Sequence, residues 1–427
     1  MSQLLIKNGH LIDPTNKLNH KANLYIDSGH IVAIDSAPEN FNADQTLDAT
    51  GLTVIPGIVD LCARLREPGQ EYKATIKSET IAAAMSGITT LCCPPDTDPV
   101  IDEPAVVELI NHKTASAAHS NVLMLGALTT GLNGELLSEM QALQIAGCVG
   151  LSNAKHPIEN TLVLKRAYAY AANCGLTVFI EPDDHWLSAG GCAHEGTVAS
   201  RLGLKGIPVS AETVALARAL EVVAETGVKA HFGRLSSAAS VAMIRRAKDD
   251  GLNITADVSA HQLHLNELDI SSFNSACHVL PPLRSQRDQE ALQHGIADGT
   301  LDAICSDHQP HDPDAKEAPF ASTEPGISAL VTLLPLAVRL ADQEIIDIET
   351  IIRAMTSAPA SILGINAGTL TIGASADICI FNRDINWQLD ESNIHSKGKN
   401  SPFMGWDYQT RVEHTIVGGT LIHSHTN

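Results

Sequence analysis

The sequence predicts an α/β fold: a closed (β/α)8 barrel of the TIM type, accompanied by a small sheet domain built from both chain ends. Three observations lead there. Through the middle of the chain, compact apolar runs alternate with Ala-rich helical stretches, an order that implies parallel strands joined by helices. Both ends carry shorter runs of alternating apolar and polar residues, punctuated by Gly, Asn and Asp, as antiparallel strands and their turns do. A length of 427 residues with 44% hydrophobic content suits one barrel-sized domain plus a smaller one.

In chain order, LLIKNGHLID and ANLYIDSGHIVAID open the small domain. The barrel strands follow as ITTLCC, NVLMLGAL, LTVFIE, VKAHFG, LNITADVS and LDAICSDH, from about Pro56 to Gly364. Between them, TIKSETIAAAMSG, ENTLVLKRAYAYAANCG, SAETVALARALEVVAETG and ASVAMIRRAKDDG read as helices that run into a glycine, as a left-handed C-cap would. About eight strand–helix units fit in roughly 300 residues, the usual size of a closed barrel. DICIFNRD and RVEHTIVGGTLIH return to the style of the first strands. The domains are therefore set at 1–55 with 366–427 for the sheet domain and 56–365 for the barrel.

The formal charge of −21 excludes a nucleic-acid or anionic-membrane surface, since such partners require clustered Lys and Arg. No run approaches the roughly 20 apolar residues of a membrane span, and no secretory leader is evident. The expectation is a soluble, cytoplasmic protein. Nine cysteines without a CxxC pair are expected to be reduced, mostly buried thiols.

Chemistry in such a barrel sits at the C-terminal ends of the strands. The polar residues there are Asp60, Cys62, Arg64, Arg66, Asn153, Glu181, Asp183, Arg234, Asp307, His308 and His311. Their setting resembles a known family. GIVDLCARLREPG is similar to the dihydroorotase signature DxHxHxRePG, and LPPLR (280–284), SDHQPH (306–311) and EPGISAL (324–330) resemble that family's PPLR, TDHAPH and PGI segments in the same order. The resemblance implies the cyclic-amidohydrolase barrel with a composite β-sandwich domain from the two chain ends.

Family chemistry uses metal-bound hydroxide, which needs imidazoles and carboxylates to hold the ions and acidify the water. By the resemblance, Cys62 and Arg64 stand at the HxH histidines, Asn153 at the bridging carboxylate or carboxylated lysine, and Glu181 and Arg234 at the other two histidines. Only Asp307 is retained. A guanidinium has no lone pair to give a cation and stays protonated, and a neutral amide cannot bridge two divalent ions as a carboxylate does. The catalytic set is thus degenerate and no metal is expected. Two arginines, Arg64 and Arg234, against two carboxylates, Glu181 and Asp307, are instead expected to form a neutral ion-pair network.

Arg66 and His311 match the family's substrate contacts and mark a candidate residual anion site, weighed against a merely structural role. The Asn of the family's MPNT segment is missing from CCPPDTDPV, where Pro95 and Asp96 occupy the region. Three further readings carry less weight: a separate metal site from Asp307, His308 and His311; a nucleophilic Cys62 acidified by an arginine neighbour; and a solvated loop at Asp183, Asp184 and His185. The reading that follows is a pseudoenzyme. LREPG after a damaged HxH, CCPP and SKGKNSPFMG resemble the non-catalytic dihydroorotase-like chains that accompany aspartate carbamoyltransferase, implying a structural role in pyrimidine biosynthesis, a homodimer, and the aspartate carbamoyltransferase catalytic chain as partner. The alternative is an active cyclic amidohydrolase of dihydroorotase, hydantoinase or allantoinase type, with a rebuilt zinc site. A third is a sensor that binds an anionic pyrimidine at Arg66.

Overall fold

The computed structural model describes residues 3–425. The chain ends form one hydrogen-bonded sheet. Its strands are β1 (Gln3–Asp13), β2 (Leu18–Asp27), β3 (His30–Ile34), β4 (Gln45–Asp48) and β5 (Thr53–Pro56) from the first part of the chain. The barrel strands come next: β6 (Ile58–Asp60), β7 (Ile88–Cys93), β8 (Asn121–Ala127), β9 (Gly150–Ser152) and β10 (Thr177–Ile180). After a two-residue ladder of β11 (Ala193–His194) and β12 (Gly206–Ile207), the barrel continues with β13 (Ala230–Phe232), β14 (Ile254–Ser259) and β15 (Ala303–Cys305). The last strands are β16 (Ile378–Asn382), the short pair β17 (Trp387–Gln388) and β18 (Asp407–Tyr408), β19 (Arg411–Val417) and β20 (Thr420–Ser424).

The small domain has the order β20-β19-β16-β5-β1-β2-β3, with β4 beside the first half of β1. It is a single continuous eight-stranded sheet. The reason is local: β1 breaks register between Ile6 and Gly9, so Leu4–Lys7 pair with β4 while His10 and Leu11 pair with β5. The two-residue side-chain period then assigns each face. Leu11, Val54, Ile378, Ile380 and Ile416 join Leu4, Ile6, Leu24 and Ile26 in a core private to this domain. Their neighbours Ile12, Ile55, Cys379, Phe381 and Val412 pack with the barrel's outer core. The carboxylate of Asp13, fully buried, fastens the two chain ends by accepting from the Leu370 backbone N–H at 2.6 Å and the Thr369 hydroxyl at 3.1 Å.

The central sheet runs β15-β14-β13-β10-β9-β8-β7-β6, each pair parallel. Its helices include Ile76–Met85, Thr161–Asn173, Val209–Thr226 and Ala238–Asp249, the four read from the sequence. The glycines that end them, Gly87, Gly175, Gly227 and Gly251, all have positive φ. Inward side chains Val59, Cys92, Leu125, Phe179, Ala303 and Cys305 meet Ala360, Ile362 and Leu363 of helix Ser357–Leu363. Lys229, just before β13, donates to the Ser361 and Ile362 carbonyls, so this helix closes the N-terminal end of the barrel with an apolar plug.

The seam between first and last strands is closed by side chain as well as backbone. The Asp60 carboxylate at the end of β6 accepts from the Ser306 N–H at 2.9 Å and its hydroxyl at 2.5 Å. Beyond it, Arg64 N–H donates to the His308 carbonyl at 2.9 Å and His308 N–H to that of Cys62 at 3.2 Å. Ser396–Gly405 leaves the small domain and returns to the barrel mouth: Asn400 accepts from the His311 N–H and donates to the Gln309 and Gly326 carbonyls.

Candidate functional site: an ion-pair cluster at the barrel mouth

The pairing that continues past β6 spaces Cys62 and Arg64 two residues apart, so both side chains point to the barrel axis. Arg234 and Asp307 lie two residues past the ends of β13 and β15 and have φ values of +57° and +48°, a left-handed turn uncommon for residues with a Cβ. That turn swings each side chain across the mouth. Glu181 comes immediately after β10.

These five side chains meet. Arg234 Nη2 lies 2.5 Å from Glu181 Oε1, and its Nε 3.6 Å from Asp307 Oδ1. Arg64 Nη1 lies 3.7 Å from the same Asp307 oxygen and Nη2 3.8 Å from Glu181. The Cys62 thiol lies 3.7 Å from Asp307 Oδ1, which also accepts from Gln309 at 3.1 Å. The shortest contact of Arg64 is with another group: Nε donates to Asp96 Oδ2 at 2.8 Å. The expected neutral set of two arginines and two carboxylates is thereby corrected to two arginines and three carboxylates. Asp96 lies past the end of β7 at the same barrel end, a position that made it a candidate without showing that it turns inward.

Burial disfavours the charges of Arg64, Arg234, Asp96 and Glu181, and the pairing outweighs it. For Arg64, burial works against the guanidinium, but Asp96, Cys62, Glu181 and Asp307 hold its pKa above the ordinary value. Arg234 behaves likewise through Cys62, Glu181 and Asp307. Burial raises Asp96 and Glu181, yet Arg64 brings Asp96 below the usual carboxylate range, and Arg234 with Arg64 does the same to Glu181. Cys62 goes the other way. Burial drives its thiol well above the ordinary value despite Arg234 and Arg64, which corrects the expectation of an arginine-acidified nucleophile.

The remaining sequence candidates are held elsewhere. Asn153 accepts from the Thr129 hydroxyl at 2.8 Å and donates to the Leu132 and His156 carbonyls, so it organises loops and takes no part in the cluster. Arg66 has its fork filled from within the chain, donating to the Pro310 carbonyl and to Gln70, with Nη2 3.2 Å from His311 Nε2. The cavity it lines with Arg64, Gln70 and Asp96 is about 10 Å³, too small for an organic anion. His308 Nδ1 accepts from the Ala329 N–H, leaving Nε2 to donate to Glu79 at 2.7 Å. Asp307, His308 and His311 therefore do not converge. Asp183 and Asp184 introduce an ordered helical turn, His185–Ser188, in place of the expected loop; Asp184 caps it by accepting from the Trp186 and Leu187 N–H groups. A pair not singled out from the sequence lies beneath the cluster: His231 Nε2 is 2.8 Å from Asp257 Oδ2, and Asp257 Oδ1 accepts from the Arg234 N–H.

The donor set does not fit a catalytic metal. The guanidiniums of Arg64 and Arg234 stand between Cys62, Glu181 and Asp307 and repel a cation, and among the described residues no three His, Cys, Asp or Glu side chains are arranged to hold one. Beside the cluster lies a cavity of about 240 Å³ between Glu181, Asp183, Arg234, Leu280, Pro281 and Arg284. No described helix is long and apolar enough to cross a membrane.

A parallel eight-stranded barrel joined to a sheet of both chain ends, with its polar cluster at the strand C-termini, defines an amidohydrolase-type scaffold. The family model for dihydro-orotase-like proteins matches residues 51–240 and that of the amidohydrolase family residues 185–422. A dihydroorotase-like protein of Pseudomonas aeruginosa is 46% identical over 418 residues, covering 98% of this chain and 99% of its own. A dihydroorotase of Geobacter sp. strain M21 is 38% identical over 423 residues, covering 98% and 99%. The chain belongs to the dihydroorotase-like amidohydrolases. Among solved structures, the L-hydantoinase of Arthrobacter aurescens superposes with a TM-score of 0.90 at 23% identity, over 99% of this chain and 96% of that one; that likeness is one of fold.

Proposed function

We propose that this protein is a non-catalytic dihydroorotase homologue that serves as a structural subunit for an aspartate carbamoyltransferase assembly in pyrimidine biosynthesis. The observation that carries the first half is the Arg64–Asp96 and Arg234–Glu181 pairing where metal-ligating imidazoles belong by family resemblance. An arginine pair with short carboxylate contacts supplies, without an ion, positive charge to the carboxylates of the mouth. The second half rests on the likeness of LREPG, CCPP and SKGKNSPFMG to the non-catalytic companions of aspartate carbamoyltransferase.

The test is metal content together with dihydroorotase turnover of protein expressed with zinc, with chelator-treated controls. Substoichiometric metal and no turnover are expected. Near-stoichiometric zinc with turnover would establish the alternative of an active cyclic amidohydrolase with a rebuilt site. Co-purification with the aspartate carbamoyltransferase catalytic chain tests the partner separately.

A further inference from the structure

A second cavity, of about 460 Å³, opens on the outside of the barrel, where helices Ile76–Met85 and Leu330–Asp342 meet the last strands of the small domain. It shares no lining residue with the ion-pair cluster or with the cavity beside that cluster. Its size falls in the range of roughly 300–1,000 Å³ that small-molecule sites occupy. Part of the lining is apolar: Met85, Val331, Pro335, Val412 and the indole of Trp387. That indole is fixed, donating to the Thr410 carbonyl at 2.8 Å and stacking on Tyr408 with ring centroids 5.1 Å apart. A ring laid against a wall already in place costs little ordering.

The rest of the lining is polar and includes no carboxylate, in a chain of formal charge −21. Its ionisable members are Arg411, His395, His423 and His425. The pairing of β20 continues to His425, whose N–H donates to the Glu413 carbonyl at 2.7 Å, so His423 and His425 share a face. Among the described residues, the rings of His395 and His425 make no hydrogen bond and Arg411 Nη1 has no acceptor, since Glu413 takes Nε and Nη2 at 3.1 and 2.9 Å. Asp390 is occupied within its own turn by Ser392 and the Asn393 N–H. His414 bonds Ser424 at 3.0 Å and has Glu413 beside it. No carboxylate acts on His395 or His423. Partial burial with Lys399 and His425 holds His395 below its ordinary value, and burial with His395, His425 and His414 lowers His423 to about 4.

We propose that this cavity binds a small aromatic carboxylate, its ring on Trp387 and the aliphatic side chains and its carboxylate on Arg411 and the imidazoles of His395, His423 and His425. A monoanion suits the charge. Glu413 already offsets Arg411, so the positive charge for a ligand comes from an imidazole that takes up a proton as the anion arrives. Two carboxylate oxygens also supply the acceptors that the free guanidinium and imidazole N–H groups lack.

Calorimetric titration of the full chain with benzoate, which is ionised at both pH 6 and pH 8, tests the site. Affinity is expected to be about tenfold higher at pH 6, with proton uptake seen as a dependence of the heat on the buffer's ionisation enthalpy. Acetate, which lacks the ring, and benzyl alcohol, which lacks the charge, are each expected to bind about tenfold or more weakly than benzoate. The variant His395→Ala/His425→Ala should keep its thermal midpoint and lose about tenfold in benzoate affinity. His112→Ala, which removes an exposed imidazole of helix Pro104–Ala117, should bind as wild type. The proposal is overturned by wild type that does not bind benzoate, by a double variant that binds it equally, or by affinity independent of pH. Acetate bound as tightly as benzoate overturns it too, leaving an adventitious ion only. The proposed structural role stands or falls separately, because the cavity lies apart from the barrel mouth.

Discussion

Arg234 is the residue whose removal exposes most of the site's logic. Its side chain is buried and faces Glu181 and Asp307, and deleting one member of a buried pair leaves the other charge without compensation. Arg234→Met is therefore expected to cost about 3–5 kcal/mol of unfolding free energy, read from urea denaturation. The double variant with Glu181→Gln should recover part of that loss, and strict additivity would show the two to be uncoupled. Arg64→His alone is expected to leave dihydroorotase turnover absent, because Cys62, Asn153, Glu181 and Arg234 also depart from the family pattern; appreciable turnover from that one change would refute the degenerate-site argument. The arginine–carboxylate pairing was legible in the sequence because a guanidinium beside carboxylates pairs with them and cannot coordinate a cation in any fold. The part played by Asp96 was not. Nothing in CCPPD says which of the residues after a strand turns inward, and only the folded mouth pairs it with Arg64. The filled fork of Arg66 was hidden for the same reason, since Pro310 and Gln70 reach it only once the loops are in place.

At the level of elements, six apolar runs read from the sequence all became barrel strands, while β6 was placed only through the family motif and β9 was missed. Its three residues, Gly150–Ser152, contain one large apolar side chain, too little for a period to show. The small domain's strands were legible from alternation, but the register break in β1 that makes one sheet of eight was not. Asp60 is the element-level feature with the clearest consequence. Asp60→Ala leaves the buried Ser306 N–H without its acceptor and its hydroxyl with only the Cys62 carbonyl at 3.3 Å, a loss expected to cost about 1–3 kcal/mol. Amide exchange at Ile58–Asp60 and Ala303–Cys305 should quicken more than elsewhere in the barrel, and uniform quickening would count against a seam.

For the molecule as a whole, buried imidazoles set the response to acid. Burial lowers His261, His264 and His278 to about 4, and burial with Arg66 and Lys73 lowers His311 to about 3. Unfolded imidazoles take up protons near pH 6.5 while these stay neutral, so stability falls as pH drops from about 6.5 toward 4. Asp60 opposes this, because burial pushes it up to about 6 and its protonation favours the folded state over part of the same range. His423, lowered to about 4 by burial, adds to the imidazole side, so the imidazoles outweigh Asp60 and the net is a loss. Urea midpoints at pH 7.5 and 5 should differ in that direction, and a midpoint unchanged or higher at pH 5 would contradict it. The pairing of β5 with β16, Ile55 opposite Cys379, also bears on how the protein is made. At ribosomal speeds of about 5–20 residues per second, the early strand waits roughly 15–60 s for its neighbour to emerge. Through that interval Leu11 and Val54 lack the late-arriving wall they pack against, so the nascent chain presents a half-built, adhesive sheet. A chain that stalls before Ile378 should be a client of holding chaperones and prone to aggregate, however complete its barrel.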